Sequence, residues 1–179
     1  MATACYLDIE TTGLSPRHSI PSVVGLRAGE AFFQWHGDQI RRELILDAIP
    51  GDAVIYTYNG HRFDLPFLDH HLKIGFRHKY KTIDLMFECW RHGLKGGLKA
   101  VERKLGIGRH DEDANGYLAV VLWHRWQRYG DDEALQRLLD YNREDVETLP
   151  VLRRRLEEGN RNSRGVNPNI ESRNPKECD

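Results

Sequence analysis

Asp8-Ile-Glu-Thr-Thr-Gly-Leu14 is the stretch on which the reading of this chain turns. It continues an apolar run, Thr3-Ala-Cys-Tyr-Leu7, and residues 3–9 together predict a buried strand. Asp8 and Glu10 stand two apart, so both side chains leave the same face of that strand. Two acids on one covered face repel each other and are costly to bury unless a cation neutralises them. A lone pair of this kind also occurs as surface acids near a strand end. Here Thr11-Thr12-Gly13 follows, a turn in which backbone and hydroxyl groups approach a ligand closely, and this makes Thr11 and Thr12 candidate contacts.

Two later stretches supply more oxygen ligands. Asp64 stands before Leu65-Pro-Phe-Leu68, where it reads equally as the cap of a helix or as a ligand beside the end of a strand over 53–58. Tyr141 and Asp145 are four apart on a predicted long helix and share one face. Leu135, Leu138, Leu139, Val146, Leu149 and Leu152 mark the core stripe of that helix, so Tyr141 alone could simply border it. Each residue has an ordinary explanation by itself. In combination Asp8, Glu10, Asp64, Tyr141 and Asp145 describe a divalent-metal site.

Around these stretches the pattern predicts strands over 3–9, 20–26 and 31–35, the last two joined by a turn at Ala28-Gly29, and hence an antiparallel meander. A helix over 40–49 stops at Pro50-Gly51, and the strand over 53–58 breaks at Asn59-Gly60. A helix over 65–72 tolerates Pro66 in its first turn. A short strand over 81–83 precedes helices over 85–92, 98–105, 117–129 and 132–156, with Pro150 expected to bend the last. The order implies a mixed sheet of five to six strands flanked by helices, an α/β layer arrangement. Residues 1–158 form the expected domain; 159–179, rich in Asn, Ser, Pro and Gly, predict a poorly ordered tail.

A hydrophobic content of 40% in 179 residues suffices for one core, and 30% charged residues keep it well solvated. No apolar run approaches the roughly 18 residues a membrane span needs, and Asp8 comes too early for a secretory signal. Cys5, Cys89 and Cys178 are too scattered for a disulfide framework, which points to a reducing cytoplasm and no membrane partner. The net charge of −1 conceals an asymmetry. Residues 70–110 carry ten Lys or Arg against Asp84, Glu88 and Glu102, a net of +7 that leaves −8 elsewhere. Singly such cations are a solvated face; as a cluster beside an acidic metal site they suit a phosphodiester polymer.

Other constellations carry less. His70, His71 and His78 lack metal spacing, and Cys89 with His92 is too isolated for zinc. Trp123 and Trp126 read as core. There is no phosphate-binding Gly-rich loop, dinucleotide fingerprint or serine elbow.

The motifs resemble those of the DEDD exonuclease superfamily, also called DnaQ-like, on the ribonuclease H-like fold. Tyr141-Asn142-Arg143-Glu144-Asp145 resembles the tyrosine form of its third motif, Asp8–Leu14 the first, and Asn59–Asp64 the second. Thr82–Leu85 and Gly97–Glu102, with the third motif, are similar to the YprB-like branch, itself close to family B polymerase proofreading domains. The likeness spans roughly residues 1–156. It implies a three-layer fold and 3′–5′ hydrolysis of single-stranded DNA or RNA with two Mg²⁺ or Mn²⁺ ions about 3.5–4 Å apart. By the same resemblance Asp8 bridges the ions, Glu10 and Asp145 complete the one that activates water, and Asp64 holds the second. Tyr141 orients the water, and Leu14 and Phe63 pack on terminal bases, with Asn59 beside them in the second motif. Any proofreading role would need a separate repair or replication partner.

Three alternatives stand beside this expectation. They are a structure-specific endonuclease on the same scaffold, a nucleic-acid-binding module with negligible catalysis, and, remotely, a two-carboxylate glycosidase that needs no metal.

Overall fold

The computed structural model describes residues 2–110 and 115–165. Strand β1 (Ala4–Thr11) lies at the centre of a five-stranded sheet of order β3-β2-β1-β4-β5. Strands β2 (Pro21–Ala28) and β3 (Ala31–His36) continue antiparallel from it, forming the expected meander. On its other side β4 (Val54–Thr57) and β5 (Lys81–Asp84) run parallel to it. The parallel half requires crossovers, and these supply the helices that cover the sheet.

One face is covered by α1 (Arg42–Ala48), α2 (Asp64–Leu72) and the short α3 (Phe76–Lys79). Cys5, Leu7 and Ile9 of β1 meet Ile45, Leu65, Phe67, Leu68 and Phe76 there in one buried cluster. The opposite face carries α4 (Leu85–Arg91), α5 (Leu98–Lys104), α6 (Gly116–Tyr129) and α7 (Asp132–Gly165). Tyr6 and Tyr56 meet Leu85, Val101, Val146, Leu149 and Leu152 on that side. Trp123, fully buried among Val23, Leu122 and Leu138, fixes α6 against α7 as the core reading expects. Burying each such large apolar side chain contributes about 1.5–3 kcal/mol.

The alternation of β1 decides where its acids go. With Leu7 and Ile9 committed to the α1–α3 side, Asp8 and Glu10 must share the Tyr6 side, beneath α7. Gly25, paired with Asp8 across the sheet, lets that helix come close. A Cβ at Gly25 would fall 2.4 Å from Asn142 Oδ1 and 2.8 Å from Val146 Cγ2.

The expected helices and strands all form, with ends shifted by a few residues. The sequence reading missed α3 and a 3-10 turn at Gly37–Gln39, both too short to show a period. Helix α7 contains Pro150 and continues to Gly165, past the Gly159 at which a tail was expected. The rest of that expected tail, 166–179 with Cys178, lies outside the described residues. Cys5 and Cys89 are free and buried.

Candidate active site

Three carboxylates converge beneath α7. Asp8, Glu10 and Asp145 each place an oxygen within 4.8 Å of the others. Asp8 and Glu10 come from the pleat of β1, and Asp145 from the buried face of α7 one turn beyond Tyr141. Glu10, Tyr141 and Asp145 are all buried, and Asp8 is half-buried.

Asp64 meets β1 on the side of β4. It is only 4% exposed, and it is not the helix cap. Phe63 occupies the cap position without a side-chain hydrogen bond, while Asp64 Oδ1 accepts from the Ile9 amide at 3.2 Å. Strand β4 pairs with β1 only through Tyr6, so Asp64 meets β1 beyond the point where that pairing ends. Asp64 lies outside the closest trio, yet its charge is felt at both Asp8 and Glu10.

The remaining candidates separate by role. Leu14 stands 86% exposed at the mouth of the β1–β2 turn. Thr11 Oγ1 donates to the Gly13 carbonyl at 2.8 Å, and Thr12 Oγ1 accepts from the Ile20 amide at 3.0 Å, so both hydroxyls build that turn. Phe63 packs on Phe67 with ring centroids 5.4 Å apart. Asn59 adopts φ 63°, a left-handed turn conformation that Asn tolerates, and its amide donates to Asp84 Oδ1 at 2.8 Å.

Three residues in the site escaped the sequence reading. Asn142, fully buried, donates from Nδ2 to Asp8 Oδ2 at 3.0 Å and to the Asp8 carbonyl at 3.3 Å. Its own Oδ1 accepts from Gln34 at 2.9 Å, so the amide is held from both sides. Its place inside the third motif was the available signal. Asp84 caps α4 through the Met86 amide and binds the Asn59 and His61 amides, securing the second-motif turn. Arg109 appeared in the sequence only as one cation in a basic segment. Its side chain is 5% exposed and reaches three acids: Glu102 at 2.7 Å, Glu144 at 3.4 Å, and Asp145 through a direct ion pair.

This crowding governs protonation. Burial, followed by Asp145, Asp64 and Glu10, raises Asp8 well above the usual carboxylate range, and Asn142 opposes only in part. Burial also raises Glu10, with Asp145 and Asp64 adding to the shift. Asp64 is pushed up to about 7 by burial against the opposing backbone amides, and Asp145 to about 6 by burial against Arg109. Tyr141, raised by burial and by Asp145, Glu10 and Asp8, remains a neutral phenol.

Carboxyls raised in the folded state contribute stability below their ordinary values near 4, and lose it as pH rises through the folded values. Without divalent ions the melting temperature is therefore expected to fall between about pH 4 and pH 7. Saturating Mg²⁺ should flatten that slope, because a cation displaces the protons. A melting temperature independent of pH in EDTA would show that the acids do not repel.

The donor set suits a hard cation. Among the described residues it consists of carboxylate oxygens, with no thiolate or imidazole among the converging atoms, and such sets favour Mg²⁺, Mn²⁺ or Ca²⁺. The chain matches the RNase H superfamily over residues 5–157. It belongs to that superfamily. An uncharacterized protein of Methanocaldococcus jannaschii, MJ0365, is 30% identical over 156 residues, which cover 79% of this chain and 88% of that protein. Among solved structures, Brucella melitensis NrnC bound to pGG superimposes with a TM-score of 0.66 at 20% identity, covering 92% of this chain and 76% of that one. The family B DNA polymerase of Pyrobaculum calidifontis gives 0.62 at 14% identity over 83% of this chain, which spans only 24% of the polymerase. At such identities the likeness is one of fold: this RNase H superfamily member has the ribonuclease H-like fold.

Proposed function

We propose that this protein is a divalent-metal-dependent 3′–5′ exonuclease that hydrolyses single-stranded DNA or RNA. One observation carries the reading: oxygens of Asp8, Glu10 and Asp145 come from two distant stretches to within 4.8 Å of one another, with buried Asp64 near enough to raise Asp8 and Glu10. Arg109 pairs with only one of these acids, Asp145, so the cluster destabilises the fold unless a further cation is placed there. Asp8, Glu10 and Asp145 would hold one Mg²⁺ or Mn²⁺, and Asp64 with Asp8 a second. Bound ions supply water acidification and neutralise charge on the leaving oxygen.

The chain's own groups do the rest. Asn142 fixes the Asp8 carboxylate, so that its oxygens are aimed before substrate arrives. Tyr141, kept protonated by burial and by three neighbouring acids, orients the attacking water by hydrogen bonding and does not act as a base. Leu14, exposed at the mouth, and Phe63 provide apolar surface for the terminal bases. The pGG in the NrnC structure supports a nucleic-acid ligand for this shape of site.

The test is a time course on 5′-labelled DNA and RNA oligomers with Mg²⁺, Mn²⁺ or EDTA. A ladder shortening from the 3′ end in metal alone is expected. Cleavage of a circular single strand would replace the exonuclease with an endonuclease, and EDTA-resistant cleavage would exclude the metal mechanism.

A further inference from the structure

A second exposed surface is built around the chain segment that precedes Asp64. The second-motif turn, residues 59–63, leads into Asp64 and carries Arg62 on its outer side. Asp84 ties that turn to α4 by accepting from the Asn59 amide at 2.8 Å and the His61 amide at 3.0 Å while capping the helix itself. The next turn of α4 presents Phe87 and Trp90, their rings edge to face with centroids 5.3 Å apart. The Arg62 guanidinium lies over both, 5.3 Å from the Phe87 ring and 5.5 Å from Trp90. His61 packs against Phe87 from the same turn.

Two features set this patch apart from ordinary surface packing. Trp90 remains 40% exposed, its indole face open beside Phe87 and Arg62. Arg62 is exposed and has no carboxylate partner among the described residues, so its charge is available. Arg77, on α3, adds a second exposed cation that donates to the His61 carbonyl. An indole face and a flat guanidinium are both surfaces on which nucleobases stack, and the cations complement the phosphates between them.

We infer that Arg62, Phe87 and Trp90 form a stacking platform for single-stranded nucleic acid, holding nucleotides on the 5′ side of the one being cleaved. The platform deepens the exonuclease reading, on which its polarity rests. The sequence-level charge asymmetry acquires a place here: the basic segment supplies α3 and α4, and these lie beside the second motif.

Binding can be read without turnover. Oligothymidylates and oligouridylates of 3 and 10 nucleotides, 5′-labelled, are titrated by fluorescence anisotropy in EDTA and in Ca²⁺. Trp90→Ala and Arg62→Ala are each expected to weaken the 10-mer by about 5- to 100-fold, the worth of one or two stacked bases, with a smaller loss for the 3-mer. Tyr129→Ala, which removes an exposed aromatic on α6, serves as the control and should bind as the parent does. Melting curves establish that the variants fold. A Trp90→Ala protein that binds the 10-mer like the parent overturns the platform, even if the parent digests 3′ ends. Length-dependent binding lost in Trp90→Ala, with no hydrolysis in Mg²⁺ or Mn²⁺, would keep the platform and sink the exonuclease instead.

Discussion

On the proposed reading Asp8→Asn is expected to lower metal-dependent hydrolysis by at least about 10³-fold, since several kcal/mol of charge stabilisation would pass through the ions this carboxylate would hold. The same substitution should raise the melting temperature of the metal-free protein. Asp8 is raised by burial and by three acids, so at neutral pH its charge opposes folding, and the amide keeps an oxygen for Asn142 to meet. The gain is roughly 2–4 °C for each kcal/mol of repulsion relieved in a domain of this size. The two effects have opposite signs, and this distinguishes a metal site from a structural cluster. A variant that loses activity and stability together would mean that Asp8 supports the fold. Calorimetric melting in EDTA beside an oligonucleotide assay reads both.

Arg109→Met is the second large effect. Arg109 is the counter-charge of Glu102, Glu144 and Asp145 at a position almost closed to water. Removing it leaves buried acids uncompensated, which typically costs about 3–5 kcal/mol. Urea denaturation in EDTA should show that loss. Saturating Mg²⁺ should recover part of it, because an ion on Asp145 replaces one of the three pairs. Arg109→Lys should rescue poorly, since one ammonium cannot match a guanidinium fork that reaches three carboxylates. A loss below about 1 kcal/mol would place the arginine outside the energetics of the site.

Asp8 and Glu10 are legible because a strand alternates faces, and Tyr141 with Asp145 because a helix repeats every 3.6 residues. Arg109 obeys neither rule: it follows α5 in irregular chain, and its partners lie 7, 35 and 36 residues away. A count of charges registered it as one cation of ten.

Asp64 posed a different difficulty. An acid at a helix start is ambiguous between cap and ligand, and the fold removes only the cap reading, because Phe63 holds the cap position and the Ile9 amide takes the Asp64 carboxylate oxygen. Asn142 would ordinarily be read as a polar neighbour of Tyr141 and Asp145, and the approach of α7 over Gly25 brings it to Asp8. The layers, the meander and the mixed sheet were legible because apolar runs mark the strands, turn residues separate them and a 3.6-residue period marks the long helices. The four-residue α3 offered no period, and Pro150 and Gly159 carried breaker signals that α7 passes through.

The most direct measurement is anomalous diffraction from crystals grown with Mn²⁺. Two peaks should appear under α7, one among Asp8, Glu10 and Asp145 and the other between Asp8 and Asp64, with Arg109 drawn back from Asp145. Saturated crystals that show no peak within reach of Asp8, while Arg109 still holds Asp145, would contradict the account.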